Sequence, residues 1–312
     1  MIMKIIFNKI AMSLSKYKFL LLLIIFSLTI NGCQTVDNTT SSKKMITVSI
    51  LPQKYFVERL AGDYFEVNVL VQPGQSPESY EPTPSQMRAV SESAAYVQIG
   101  APFEIVWIEK VREINPEMVI FDSSAGIERI VMPDHFHEDE QTNEADHSDE
   151  ELDPHIWTSP KLVKTQLENI AKLLVQIDPQ NESTYQANLA EFLSEIDQLD
   201  LELQSEFKNL TNRKFMVYHP AWGYFAQDYG LEQIAIEIGG TEPSAKEMSQ
   251  IIDLAKTENV KVIFVQPEFS TRSAETIASE IGGRVIPISN LEYNWLENIR
   301  SISKILAESL VQ

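Results

Sequence analysis

At 312 residues with 44% hydrophobic side chains, the chain is long enough for two ordinary globular domains. Its 45 acids against 25 bases give a formal net charge of −20. That excludes nucleic-acid binding as a main role, because a phosphate binder needs a basic face. The single cysteine, Cys33, excludes an internal disulfide.

Residues 1–32 read as a signal peptide. Lys4, Lys9, Lys16 and Lys18 form a positive leading region ahead of the twelve-residue apolar run Phe19–Ile30. A membrane-spanning helix needs about 20 apolar residues, so this run has the length of a signal-peptide core. It ends at Ile30-Asn31-Gly32-Cys33, which resembles a bacterial lipobox and implies lipidation of Cys33. An uncleaved N-terminal anchor is the other reading; both leave an exported, membrane-tethered chain. Residues 33–44, which include the polar run Asn38–Lys44, then form a lipidated tether.

From Met45 the chain alternates. Met45–Leu51 is a β-branched run stopped by Pro52, and Gln53–Ala61 has helical spacing closed by Gly62-Asp63. Phe65–Val71 is a second strand, and the loop Gln72–Pro82 follows. Thr83, Pro84 and Gln86 supply an N-cap, a first-turn proline and a capping-box partner. Strand Ala94–Ile99, helix Glu104–Ile114 and strand Met118–Asp122 complete a series of parallel βαβ type, an N-terminal lobe over 45–178.

Asp134–Asp153 interrupts this lobe with ten carboxylates, three histidines (His135, His137, His147) and no base. Such a segment cannot bury enough apolar surface to fold alone and reads as a loop. It is either a solvated acidic face or a weak multidentate site for a borderline divalent cation. Ser159-Pro160 then opens a helix to about Ile177. From 179 to 210 one apolar stripe, Leu189, Phe192, Ile196, Leu199, Leu203, Phe207 and Leu210, keeps spacings of three and four. A helix of that length spans roughly 45 Å, longer than one small domain, and suits a connector between two lobes.

Over 211–312 the alternation restarts. Strands are expected at Lys214–Tyr218, Ile234–Ile238, Val260–Val265 and Arg284–Ile288. Helices are expected at Trp222–Tyr229, Ser244–Lys256, Ser270–Ile281 and Tyr293–Val311. The fold class is α/β: two lobes of parallel βαβ units joined by a long rigid helix, with no internal sequence repeat. Ligands of such sheets sit beyond the strands' carboxyl ends, and His219 follows the strand Lys214–Tyr218 directly. His155 stands between the acidic loop and a helix start. Each alone is an ordinary element-end residue; the two together, in opposite lobes beside a His-containing acidic loop, suggest a metal cleft.

Four stretches now carry a family resemblance: Gln72–Pro84, Asp153–Pro160 (DPHIWTSP), Tyr218–Leu231 (YHPAWGYFAQDYGL) and Val262–Ser270. The mature chain resembles the zinc/manganese-type metal-binding lipoproteins of bacterial ABC importers. The resemblance implies two lobes with the metal held between them, and it matches His155 and His219 to two histidine ligands. Glu78 stands where the family usually has histidine; carboxylates coordinate zinc at about 2.0–2.2 Å, so Glu78 is expected as the third ligand. Ser289 stands where many members have an acid, which leaves the fourth position to water, Glu268 or the acidic loop. That loop resembles the accessory metal-collecting segment of zinc-type members.

The function so implied is an extracytoplasmic, monomeric receptor delivering Zn²⁺ to an ABC importer permease, with no catalytic residues. A manganese or iron receptor of the same architecture competes, since Glu78 favours harder ions. A zinc hydrolase is the alternative from another class, although no HExxH or GxSxG motif is present.

Overall fold

The computed structural model describes residues 43–132 and 152–311. Cys33, the leader and the three loop histidines His135, His137 and His147 lie outside them. Among the described residues no helix is long and apolar enough to cross a membrane.

Four short parallel strands form the first sheet: β1 (Lys44–Val48), β2 (Phe65–Val69), β3 (Ala95–Gln98) and β4 (Val119–Asp122), in the order β2-β1-β3-β4. The crossovers are α1 (Leu51–Ala61), α2 (Pro84–Ser91) and α3 (Pro102–Ile114). The expected cap of α2 is present: Thr83 accepts from the Gln86 backbone, and the Gln86 side chain reaches back to the Thr83 N–H. Helix α3 begins earlier than its apolar pattern implies because Pro102 supplies the preset φ of a first helical turn.

The second sheet repeats the plan. β5 (Lys214–Val217), β6 (Glu232–Ala235), β7 (Val262–Val265) and β8 (Arg284–Pro287) are all parallel, ordered β6-β5-β7-β8. The two lobes therefore share one strand order although the sequence shows no repeat. What recurs is the alternation of buried strand and amphipathic helix.

Between the sheets run α4 (Pro160–Ile177) and the long α5 (Glu182–Phe207), preceded by a 3₁₀ turn at Pro179–Asn181. The α5 stripe is inward, with Tyr185, Phe192, Ile196, Leu199, Leu203 and Phe207 all buried. Its first half meets α1, where Arg59 pairs with Glu195 at 2.5 Å and lies 4.5 Å from the Phe192 ring centre. Its second half meets the second lobe. Phe207 packs edge-on to Phe225 of α6 (Gly223–Tyr229), and Glu206 accepts from Ser303 of the last helix. That last helix follows α7 (Ala245–Thr257) and α8 (Arg272–Ile281) and is α9 (Trp295–Leu310).

One hydrophobic core runs through the first lobe, α4, α5 and the inner face of the second sheet; α7 and α8 cover that sheet's outer face with a smaller core. Two buried indoles sew the lobes together. Trp157 Nε1 donates to the Asn290 carbonyl at 2.8 Å, and Trp295 Nε1 donates to the Trp157 carbonyl at 2.7 Å. Both N–H groups are thus satisfied in a buried interface, where an unmade bond costs about 1–3 kcal/mol.

Candidate metal centre

His219 sits where an open α/β sheet is expected to bind, at the end of β5 where the crossovers diverge to β6 and β7. Gln266, just past β7, clamps it: its side-chain oxygen accepts from the His219 N–H at 3.3 Å, and its amide donates to the His219 carbonyl at 2.7 Å. Phe269 stacks on the imidazole, with centroids 4.7 Å apart.

His155 comes from a turn instead of a strand. It precedes the 3₁₀ turn Ile156–Thr158, and Thr158 Oγ1 donates to its carbonyl. Just upstream, Val131 and Leu152 form an antiparallel bridge, and the Asp153 N–H donates to the Ile130 carbonyl at 2.9 Å. Residues 130–131 and 152–153 therefore meet just upstream of His155.

Glu78 rides the loop between β2 and α2. Gln86 is the hub of that loop: its amide donates to Leu70, and its oxygen accepts from Tyr80 Oη and the Thr83 N–H. Tyr80 packs edge-on to Phe103 and takes no place at the metal site.

These three elements bring one donor atom each of Glu78, His155 and His219 within 4.8 Å of one another. The two Nε2 atoms lie 3.2 Å apart, and Glu78 Oε1 is 2.5 Å from His219 Nε2 and 3.8 Å from His155 Nε2. Both imidazoles are buried, at 2% and 3% exposure. Each Nδ1 faces its own carboxylate: Asp153 Oδ1 lies 2.7 Å from that of His155, and Glu237 Oε1 2.9 Å from that of His219. A carboxylate at Nδ1 holds the ring proton there and turns the Nε2 lone pair outward, the arrangement of a metal-ligating histidine. Two Nε2 atoms and a carboxylate oxygen thus converge on one point and, once a cation displaces the proton held between them, form a donor set suited to a borderline divalent ion.

The electrostatics agree. Burial works against a charged His219, but Glu237 and Glu78 outweigh it and push the imidazole up to about 9. Burial would raise Glu78, yet the hydrogen bond and charge of His219, with His155 behind it, bring it below the usual carboxylate range. The carboxylates that hold a proton on His219 would also favour a bound cation, which competes with that proton.

Glu268 stands apart from the three. Its Oε2 is buried with no hydrogen-bond partner among the described residues, and burial raises its carboxyl in the combined field of Glu292, His219 and Glu78. The Ser289 hydroxyl accepts from the Leu291 N–H at 3.1 Å and is committed to its own turn. Asp153 and Glu237 escaped the sequence reading. Asp153 lies two residues before His155, a short-range signal; Glu237 becomes a neighbour of His219 only because β6 pairs with β5.

Two α/β lobes on a long helix, with converging imidazoles between them, define a two-lobed solute-binding protein. The family model described as zinc-uptake complex component A, periplasmic, matches residues 46–309, and the chain belongs to that family. It is 29% identical over 259 residues to the high-affinity zinc uptake system protein ZnuA of Bacillus subtilis, covering 82% of this chain and 81% of that one. A crystal structure of ZnuA superposes with a TM-score of 0.79 at 45% identity, covering 86% of this chain and 99% of the other. A zinc-bound ZnuA deletion mutant gives 0.78 at 44% identity, covering 86% and 98%.

Proposed function

We infer that this chain is the extracytoplasmic zinc receptor of an ABC importer, capturing Zn²⁺ between its lobes and handing it to the membrane permease. The reading rests chiefly on one observation: two buried histidines, each backed by a carboxylate, present Nε2 atoms 3.2 Å apart beside Glu78. In this reading Glu78, His155 and His219 are the ligands and Glu268 swings in as the fourth. Its buried oxygen, without a hydrogen-bond partner among the described residues, and its place one residue before Phe269, which stacks on His219, support that role. His135, His137 and His147 belong to an accessory collecting segment, and the described residues that flank it, Val131 and Leu152, pair just upstream of His155. A lipid on Cys33 holds the receptor at the membrane. Because one core and the two indole bonds tie the lobes, release proceeds by local or shear movement without wide hinge opening.

Glu78 gives one specific reason to consider a manganese receptor, since carboxylate favours harder ions. Metal analysis and zinc–manganese competition on the chain from Asn38 onward decide between them. One tightly bound zinc is expected, lost by more than roughly 100-fold in His219→Ala and His155→Ala, beyond the usual cost of an outer-shell change. A manganese preference would overturn the zinc assignment. Full zinc affinity in Glu78→Ala would remove that residue from the ligand set.

A further inference from the structure

Asp153 uses only one of its oxygens at the metal centre. Oδ1 meets both the His155 N–H, at 2.8 Å, and His155 Nδ1, at 2.7 Å. Oδ2 is buried without a hydrogen-bond partner among the described residues. It points at the other lobe, where Gly223 opens α6. A Cβ on Gly223 would lie 2.9 Å from Asp153 Oδ2 and 3.2 Å from Ile130 Cδ1. Real Cβ atoms essentially never come as close as the first distance, and the second is tight, so something here would have to shift.

The backbone gives no reason for glycine here, because Gly223 is not among the residues at positive φ. On propensity alone, alanine would suit a helical position better. Nor can Asp153 retreat as a unit: its N–H is held by the Ile130 carbonyl at 2.9 Å, and its carbonyl accepts from Tyr224 Oη at 2.8 Å. The freedom left is rotation of the carboxylate, and rotation takes Oδ1 off His155 Nδ1.

We propose that the bare face of Gly223 is a positioning element of the metal centre, letting the second lobe close against Asp153 while Asp153 keeps His155 aimed at the ion. Gly223 lies four positions after His219, so the stretch that supplies the second lobe's histidine also supports the first lobe's. The proposal rests on the zinc-receptor reading for its metal-binding consequence, and on geometry alone for its effect on His155.

The test uses the full chain in four forms: wild type, Gly223→Ala, Asp153→Ala and the double variant. Zinc affinity is measured by competition with a chelating dye. Gly223→Ala should bind zinc about tenfold or more weakly, in the range of outer-shell changes. In the Asp153→Ala background the same substitution should cost nothing further, because the crowded oxygen is gone. Wild-type affinity in Gly223→Ala, or full multiplication of the two losses, would overturn the proposal. Should Gly223→Ala fail to fold, a folded double variant supports the proposal and an unfolded one overturns it. In metal-free protein at fixed pH, nitrogen-15 NMR of the histidine rings should show the His155 proton displaced from Nδ1 in Gly223→Ala; an unchanged ring would also overturn it. A wild-type chain that binds no zinc would end the receptor reading while leaving this last comparison valid.

Discussion

The two lobes share a strand order but use the end of their first strand in opposite ways. In the second lobe β5 delivers His219 into the cleft. In the first lobe β1 delivers Ser49 into a sealed interior, where its hydroxyl bonds Tyr96 Oη at 2.7 Å and the carboxylate of Glu104. Glu104 also accepts from the Ile99 and Gly100 N–H groups, and it is 2% exposed. The first lobe has thus closed its switch point with a carboxylate of its own, and its share of the proposed metal site comes from loops, Glu78 before α2 and His155 ahead of α4. A ligand on a strand end is fixed by the sheet, whereas a ligand on a loop can change type without disturbing the fold. Position 78 on its loop carries a carboxylate, whereas position 219 at the strand end carries a histidine.

The largest expected effect tests the sealed side. Burial foremost, with Asp122 adding to it against the Ser49 and backbone hydrogen bonds, pushes Glu104 up to about 7 from an ordinary 4.5. The folded state therefore holds this proton more tightly than the unfolded one. The associated stability is complete below 4.5 and is lost as pH rises through about 7, a change of about 3 kcal/mol. Denaturant titrations of metal-free protein across that window should show the slope, and Glu104→Gln should flatten it. Below pH 4.5, where wild-type Glu104 is protonated, the same substitution should also lower stability, because the new amide nitrogen would face one of the backbone donors the carboxyl now accepts.

On the open side, Glu237→Ala should weaken zinc binding about 10–100-fold by releasing the His219 Nδ1 proton, while Ser49→Ala, the matching strand end of the other lobe, should leave affinity unchanged. Chelator competition on both variants reads this, and equal losses would break the contrast between the lobes. The smallest effect concerns Glu78, the proposed ligand on the loop. Glu78→His should raise zinc over manganese by up to about tenfold, or about 1.4 kcal/mol, in a two-metal competition, with melting of the metal-free chain little changed.

Much of this organisation was legible in the sequence because it is periodic or local. The α5 stripe, the Thr83/Gln86 and Ser244/Glu247 capping boxes, and the positions of His155 and His219 at element ends all follow from spacing. What stayed hidden depends on pairing across distance. Glu237 lies 18 residues from His219 and meets it only through sheet register. Glu104, two residues after Pro102, reads as an ordinary acid of a helix's first turn; only the packing of α3 over β1 and β3 reveals it as a plug. The shared strand order is likewise invisible, since burial and connectivity recur where residue identities do not.

The reciprocal bonds between Trp157 and the Asn290–Trp295 segment carry a thermodynamic meaning beyond geometry. With the larger core passing through both lobes, the described residues are expected to unfold as a single cooperative unit. Backbone amides around His219 then exchange with solvent mainly through global opening, and an ion bound between the lobes protects residues in the most distant helices as well as those that touch it.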